Sequence, residues 1–317
     1  MNKWKKAGLA VTASAAVIST AHIINQMIFS SSVIKNLTNK ETRSTYKWKF
    51  GNISYTISGE GSPILFIHDL KSSCSLCEWD RIIKSLGRNH TVYAIDLLGC
   101  GHSDKPNITY TTYMYTQMIQ DFVINVIHKK TDIIAQGDSA PMAIMTVYSN
   151  PYIFNKLILV SPQDIKSALK TPDKMCEIRR YLLNSPVLGT LIYNICMSRQ
   201  KLNSGFVLKY FNNKNSISQN LIDTYSENAH LGGSNAKYLF TSTECHYTTV
   251  SISKAVSKID NSIYIINGSC DTTAIESAKL YKSLNPAIES VTIENAKHYP
   301  QIEQPLKFIK NIDIFLS

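Results

Sequence analysis

The 317-residue sequence lacks the patterns that define several large classes of protein. It has no internal repeat, no low-complexity tract and no long block of basic residues, although 33 Lys and Arg against 23 Asp and Glu give a formal net charge of +10. It has no zinc-finger or RNA-binding signature either, so we expect no nucleic-acid partner. A hydrophobic fraction of 44% and a charged fraction of 18% are typical of a folded globular protein. A chain of this length can form one large α/β domain with an insertion, or two ordinary domains.

The cysteines form no disulfide framework. There are seven of them, an odd number at irregular spacing, which argues against a disulfide-stapled secreted fold. Cys74 and Cys77 resemble half of a zinc or redox motif, but no second pair and no histidine pattern completes it. No histidine spacing elsewhere suggests metal ligands. We therefore expect neither a metal ion nor an organic cofactor.

The longest apolar stretch lies near the N-terminus, and polar residues interrupt it before it reaches the roughly 20 residues of a membrane span. Lys3, Lys5 and Lys6 precede it, and a short basic region before an apolar core is typical of a secretory signal or an uncleaved anchor. We predict that residues 1–30 form such a segment and that residues 3–29 associate with a membrane. Because the positive charges precede the apolar run, we predict a catalytic domain outside the cytoplasm. The cytoplasmic face, and a helix that lies on the membrane or on the domain, stay open as alternatives.

Downstream of that segment, strand-like runs alternate with helical patterns. The strand-like runs lie at 53–58, 63–67, 91–95, 133–134, 156–160, 262–266 and 291–293, and the helical patterns at 79–86, 114–127, 142–148, 274–284 and 305–315. Repeated strand–helix units predict a mostly parallel, doubly wound sheet of the α/β class. Residues 163–253 have only helical patterns, which predicts a helical cap inserted after strand 6, between core segments 31–162 and 254–317.

Three residues suitable for nucleophilic catalysis follow strand-like runs. Ser139 lies in a Gly-x-Ser sequence between a strand and a helix, where a sharp turn would expose its hydroxyl. Asp271 and His298 follow two later runs. A serine, an acid and a histidine in this order can form a triad in which the histidine activates the serine.

Three segments resemble signatures of the α/β-hydrolase fold, namely 67–70, 96–106 and 298–305. They are most similar to the capped branch that contains esterases, epoxide hydrolases and haloalkane dehalogenases. Within that branch the predicted cap resembles uncharacterised bacterial serine hydrolases. The resemblance covers residues 47–316, and it implies the fold of that family with a helical cap over the site.

The resemblance also implies roles for individual residues. Ser139 would attack an acyl carbon, His298 would transfer its proton, and Asp271 would orient the imidazole. The N–H groups of Leu70 and Ala140 would form the oxyanion hole. The expected function is a serine hydrolase that cleaves an ester or a related acyl bond of a small apolar molecule, because apolar residues are frequent in the predicted cap.

Two departures from the family pattern leave other functions open. Asp69 and Pro141 stand where the family has glycine, and an aspartate beside the oxyanion hole could bring negative charge towards a developing oxyanion. If the Asp69 side chain faces solvent, we expect the effect to be small. One alternative is a dehalogenase or epoxide hydrolase in which Asp138 is the nucleophile. The other is a binding protein of the same fold without catalysis. The oligomeric state does not follow from the sequence.

Overall fold

The computed structural model describes residues 3–38 and 42–317, and within them an eight-stranded sheet forms the centre of the fold. The strands are β1 (Ser44–Trp48), β2 (Gly51–Ser58), β3 (Ser62–Ile67), β4 (His90–Ile95), β5 (Thr131–Gln136), β6 (Phe154–Val160), β7 (Ile263–Gly268) and β8 (Glu289–Ile293). Their order in the sheet is β1-β2-β4-β3-β5-β6-β7-β8. The β1–β2 and β2–β4 pairs are antiparallel and the other pairs are parallel. The predicted mostly parallel sheet is therefore confirmed.

Helices precede this sheet, cover its two faces and form the segment between β6 and β7. They are α1 (Lys3–Ser32), α2 (Asp80–Leu86), α3 (Thr112–Phe122), α4 (Ala140–Ser149), α5 (Ile165–Ala168), α6 (Lys174–Asn184), α7 (Leu188–Cys196), α8 (Arg199–Gly205), α9 (Gln219–His230), α10 (Lys237–Glu244), α11 (Ser253–Val256), α12 (Thr272–Leu284), α13 (Pro300–Glu303) and α14 (Pro305–Leu316). Alternate residues of a strand point to opposite faces. In β3, Leu65 therefore packs in the core cluster that includes Met118 of α3, whereas Phe66 packs in the one that includes Phe308 of α14.

Between β6 and β7 the described chain forms helices α5 to α11 and no strand. We call residues 163–253 the helical insert. Phe206, Phe211 and Tyr225 of the insert pack against Tyr299, which follows β8. Because parallel strands have their carboxyl ends at one edge of a sheet, this contact holds the insert beside the segment in which the predicted catalytic residues lie.

The C-terminal part of α1 packs on the helical insert. Asn25 accepts a hydrogen bond of 2.9 Å from the Asn194 side chain, and the ring of Phe29 lies 5.6 Å from that of His230. After the helix ends, Glu227 of the insert accepts hydrogen bonds from the following backbone. This part of the N-terminal segment therefore belongs to the folded body of the protein.

Another set of α1 side chains is exposed, and it is apolar: Val17, Ile18, Ile23, Ile24 and Met27. Over residues 3–38 and 42–317, no helix combines the length and the apolar character needed to cross a membrane. The lysine side chains at positions 3, 5 and 6, on which the membrane prediction also depends, lie outside the described residues. Membrane association stays a prediction.

Candidate active site

A cavity of about 840 Å³ lies between the sheet and the helical insert. Gly137, Asp271 and His298 line it from the sheet, and Phe206 and Tyr210 line it from the insert. Cavities of roughly 300–1,000 Å³ are typical of sites for small molecules. The size of this cavity therefore suits a small ligand.

The turn between β5 and α4 is sharpest at Gly137, not at Ser139. Gly137 has a φ of +55°, in the left-handed region that glycine enters without a steric penalty. Ser139 has helical angles, with φ −82° and ψ −13°. The predicted register, with Ser139 at the tip of the turn, is wrong by two residues. The physical reason is that the positive φ falls on the one glycine of this turn.

The cavity that His298 lines is also lined by Leu70, one of the predicted oxyanion donors, but not by Ser139 or Ala140. The Ser139 side chain is fully buried, and its hydroxyl donates a 2.5 Å hydrogen bond to the carbonyl of His68. The Ala140 N–H donates to the carbonyl of Gly137 within the turn. Leu70 lines the cavity, and its N–H has no hydrogen-bond partner in the described part of the chain. The expected exposed serine hydroxyl is therefore absent, because Ser139 lies beyond the tip.

The structure does bring His298 and Asp271 together. Asp271 follows β7 and caps α12 by accepting a 3.0 Å hydrogen bond from the Ala274 N–H. Its Oδ2 lies 3.7 Å from Nδ1 of His298. Burial alone would lower the pKa of His298, but Asp271 and Asp69 raise it above its ordinary value of 6.5. Burial likewise opposes ionisation of Asp271, yet His298 and the cap N–H hold the pKa of Asp271 below its usual range.

Asp69 fills the space beside the tip of the turn. Gly137 has no side chain, and a Cβ placed on it would lie 2.5 Å from Oδ1 of Asp69. The same oxygen accepts a 2.8 Å hydrogen bond from the N–H of Asp138, the residue that follows the tip. From the sequence, we expect Asp69 to have a small effect if its side chain faces solvent. The side chain is fully buried. The aspartate is instead part of the site.

Three side chains surround the second oxygen of Asp69. Oδ2 lies 3.5 Å from Nε2 of His298 and 3.3 Å from the hydroxyl of Tyr299, and it forms an ion pair with Lys71. Burial alone would raise the pKa of Asp69, but Lys71 and His298 hold it below its ordinary value. Asp69 is therefore an ionised carboxylate in contact with the imidazole.

Asp138 lines the cavity next to the tip. Its Oδ1 accepts a 3.1 Å hydrogen bond from Nε2 of Gln163. Burial and the nearby Asp69 raise the pKa of Asp138. Within residues 3–38 and 42–317, no group of three or more His, Cys, Asp or Glu residues is arranged to hold a metal ion.

Comparison with known proteins agrees with this architecture. The model of the alpha/beta hydrolase fold family matches residues 62–305. An uncharacterised protein of Mycobacterium tuberculosis is 31% identical over 108 residues, which are 34% of this chain and 31% of that protein. The match thus spans about a third of the length of that relative. The soluble epoxide hydrolase of Corynebacterium sp. is 22% identical over 257 residues, 79% of this chain and 88% of that enzyme.

A solved structure extends the likeness of fold to nearly the whole chain. The crystal structure described as a membrane phospholipase A, a bacterial virulence factor, has a TM-score of 0.67 and 17% identity, and the match covers 99% of this chain and 98% of that one. An identity this low supports the fold alone. The family match, however, includes the strands that lead to Asp69, Gly137, Asp271 and His298. The chain therefore belongs to the α/β-hydrolase family.

Proposed function

We propose that this protein is a hydrolase of a small apolar molecule, with His298 as its catalytic base. One observation carries the proposal. His298 lines the cavity with Nδ1 facing Asp271, while its buried Nε2 forms no hydrogen bond among the described residues and lies 3.5 Å from the carboxylate of Asp69. An imidazole oriented by a carboxylate on one nitrogen can accept a proton on the other, and it can return that proton to a leaving group.

Asp271 acts on the reaction through His298. Its carboxylate favours the tautomer that carries the proton on Nδ1, which leaves the Nε2 lone pair free to accept a proton. It also stabilises the imidazolium that forms when His298 accepts that proton. Since both carboxylates near the ring favour the charged form, the base is fully available only above the ordinary pKa of histidine.

Part of the cavity lining suits an apolar substrate. The helical insert contributes apolar and aromatic side chains together with polar and charged ones such as Lys170, Lys201 and Glu244, and the apolar set includes Met197, Leu202, Phe206, Leu208, Tyr210 and Phe240. Apolar side chains with a small number of polar groups are typical of small-molecule sites. An ester or related acyl bond is the substrate class that we propose on the basis of the sequence.

For an acyl substrate, the proposed nucleophile is Ser139, and the proposed intermediate is an acyl-enzyme. Its hydroxyl would have to leave the carbonyl of His68 and enter the cavity. The Ala140 N–H, proposed as an oxyanion donor, would have to leave the carbonyl of Gly137. This route therefore requires a rearrangement of the turn.

The test is hydrolysis of p-nitrophenyl esters of short and medium chain length, with labelling by a fluorophosphonate probe. We would compare the wild type with His298→Gln and Ser139→Ala, and use Glu276→Gln as the control because that carboxylate is exposed on α12. Loss of a general base typically costs about 10²–10⁴ in rate, so we expect a loss of this size in His298→Gln. Labelling that disappears in Ser139→Ala and falls in His298→Gln, but persists in Glu276→Gln, would support the acyl-enzyme route.

The outcomes separate the parts of the proposal. Turnover that depends on His298, without labelling of Ser139, would support His298 as the base and contradict Ser139 as the nucleophile. A folded wild-type protein that turns over none of the esters and reacts with no probe would favour a binding role. Such a role also agrees with the tip of the turn, because Gly137 has no side chain that could act as a nucleophile.

We also propose that α1 contacts a membrane surface rather than spanning a membrane. Its exposed apolar side chains, such as Ile23 and Met27, support this proposal, as does the net charge of +10, which favours an anionic surface. A location outside the cytoplasm is part of the same proposal.

A further inference from the structure

We infer that the cavity contains a polar subsite, formed by Ser161, Gln163 and Ser277, for a part of the substrate that carries neighbouring hydroxyl groups. The inference rests on the proposed function, because it assigns the substrate of that same cavity to a class. That class is an ester with an apolar chain on one side of the cleaved bond and hydroxyl groups on the other. None of the three residues takes part in the proposed reaction.

Buried polar atoms without a partner are the first argument. Ser161 and Ser277 line the cavity, each with 2% of its surface exposed, and neither hydroxyl oxygen has a hydrogen-bond partner among residues 3–38 and 42–317. Gln163 lines the cavity too, and its buried Oε1 has no partner within the same ranges. Most buried polar atoms of folded proteins have a partner, and a buried atom without one lowers stability. A ligand that bonds to these atoms would remove that cost.

Hydrogen bonds place the three side chains in one region. Ser161 and Gln163 follow β6, and the N–H of Gln163 donates a 3.0 Å hydrogen bond to the carbonyl of Gly137 at the tip of the turn. The hydroxyl of Tyr281 on α12 donates a 3.0 Å hydrogen bond to the carbonyl of Gln163. Ser277 lies four residues before Tyr281, and therefore on the same face of α12. The segment after β6 thus connects the tip to the face of α12 that carries Ser277.

The subsite lies near the proposed base. Asp271, whose carboxylate faces His298, caps the first turn of α12. At a rise of about 1.5 Å per residue, Ser277 is roughly 9 Å further along the axis of this helix. On the other side, Nε2 of Gln163 donates a 3.1 Å hydrogen bond to Asp138, which follows the tip. A small molecule can therefore contact the subsite and the base at the same time.

The backbone of Ser161 is the second argument. Its φ is +42°, in the left-handed region that residues other than glycine enter at a steric cost. The residue is held there because its N–H donates a 2.9 Å hydrogen bond to the carbonyl of Ile266 in β7. Strained residues of this kind cluster at active sites and at sites that hold ligands. The strain thus associates Ser161 with a ligand independently of its unpartnered hydroxyl.

The chemistry of the three side chains favours hydroxyl groups. Because Nε2 of Gln163 is bonded to the Asp138 carboxylate, the free atom of the amide is Oε1, which only accepts hydrogen bonds. Each serine hydroxyl donates one hydrogen bond and accepts others. A ligand hydroxyl can accept a hydrogen bond from a serine and donate one to Gln163, whereas an N–H group only donates. Two neighbouring hydroxyl groups can therefore satisfy all three residues.

An uncharged group suits the subsite better than an anion. Asp138 is hydrogen-bonded to Gln163, Asp164 follows Gln163 in the chain, and both acids line the cavity. A phosphate or carboxylate in the subsite would lie beside these acids, and repulsion is strong where water is excluded. The apolar chain of the same substrate would contact aromatic side chains of the insert that line the cavity, such as Phe206 and Tyr210.

The experiment compares pairs of esters that differ in two hydroxyl groups. Monohexanoyl glycerol and propyl hexanoate test the alcohol side of the ester, and hexyl glycerate and hexyl propanoate test the acyl side. We expect kcat/KM of the wild type to be at least about tenfold higher for the hydroxylated member of one pair, because a site that bonds to a hydroxyl group rejects the analogue without it. Ser161→Gly, which suits the positive φ, and Ser277→Ala should each reduce this ratio at least about threefold.

A second readout does not require turnover. Glyceryl hexyl ether and hexyl propyl ether have no ester bond, and calorimetry gives their Kd values. We expect the wild type to bind the glyceryl ether more tightly, and Ser161→Gly and Ser277→Ala to weaken this preference. Ser283→Ala is the matched control, because that serine is exposed on α12 and bonds to the carbonyl of Leu280. Without ligand, Ser277→Ala should not lower Tm, whereas loss of a structural hydrogen bond would lower it.

Two results would overturn the inference. One is the absence of any preference for the hydroxylated compounds in both pairs of esters and in the pair of ethers. The other is a preference that Ser161→Gly and Ser277→Ala leave as large as Ser283→Ala does. If binding of the ethers depends on the two serines but the wild type hydrolyses no ester, the subsite survives and the proposed function fails. If hydrolysis depends on His298 without such a preference, the proposed function survives and the subsite fails.

Discussion

At the scale of single residues, Gly137 and Asp69 depend on each other. A side chain at 137 would collide with the carboxylate at 69, and that carboxylate satisfies the N–H that follows the tip. The same carboxylate contacts His298, whose other nitrogen faces Asp271. The imidazole therefore lies between two acids, and this arrangement decides how its charge responds to pH.

Gly137→Ala should lower the free energy of unfolding by about 2–4 kcal/mol, because a Cβ at positive φ is strained and would collide with Asp69. The matched control is Gly205→Ala. Gly205 ends α8 with ordinary helical angles, and the nearest atom to an added Cβ is 3.5 Å away. We expect that control to be neutral or stabilising by up to about 1 kcal/mol. Urea unfolding measures both, and equal effects would contradict the strained turn.

Hydrolysis should increase with pH, with an apparent midpoint above 6.5. Asp271 and Asp69 raise the pKa of His298 against the effect of burial, and only the neutral ring can accept a proton. Asp271→Asn removes one negative charge, so it should move the midpoint to lower pH and also reduce the rate. The pH profile of kcat/KM measures this shift. A midpoint that is unchanged in Asp271→Asn would contradict the coupling between the two residues.

At the scale of secondary-structure elements, burial explains what could be predicted. Strands such as β3 and β5 are buried along most of their length, so their apolar residues could be recognised as strands from the sequence. β1 escaped prediction because it lies at the sheet edge, where Thr45 and Lys47 are exposed and Trp48 is the one buried residue of its five. Pro141 fits at the start of α4, where no helical hydrogen bond needs an N–H from this residue.

Less of the candidate site than of the fold could be predicted from the sequence. Asp271 and His298 could be found because each follows a strand, and strand ends meet at one edge of a parallel sheet. The residue at the tip of the turn could not be predicted, because the tip is the residue with positive φ. The sequence around Gly137 allowed either Asp138 or Ser139 at that position. The contact of Asp69 with His298 joins two strands far apart in the chain, and the local pattern does not encode it.

The link between α1 and the helical insert makes a prediction at this scale. Glu227 of α9 accepts hydrogen bonds from the N–H groups of Leu37 and Thr38 and from the Thr38 hydroxyl, at 2.9, 3.1 and 2.7 Å. Glu227→Gln keeps the shape of the side chain and removes its charge, so the free energy of unfolding should fall by about 1–3 kcal/mol. Amide hydrogen exchange in residues 33–38 should accelerate. An unchanged rate of amide exchange in residues 33–38, with Glu276→Gln as the reference, would contradict this link between the segment after α1 and the insert.

At the scale of the whole molecule, the cavity exists because the helical insert is held over the sheet. The aromatic cluster around Tyr299 joins the insert to the segment that carries His298, and α1 packs on the far part of the insert. Side chains of the insert therefore form part of the wall of the cavity that His298 lines. The insert also connects the site to the exposed apolar surface of α1.

The proposed membrane contact predicts binding to anionic vesicles that weakens with salt. Ile23→Glu combined with Met27→Glu should reduce this binding at least about tenfold, because burial of an apolar side chain of this size contributes roughly 1.5–3 kcal/mol. Leu306→Glu is the matched control, since that leucine is exposed on α14. Cosedimentation measures the difference. Equal loss in the control and the double variant would contradict a role for α1.

The most direct test of the central claim is the turnover of wild type and His298→Gln on one panel of esters and epoxides at pH 8. The account predicts that the wild type hydrolyses at least one of these substrates and that His298→Gln loses this activity by about 10²–10⁴ while it stays folded. A wild type that hydrolyses none of them, or a His298→Gln variant that is as active as the wild type, would contradict it.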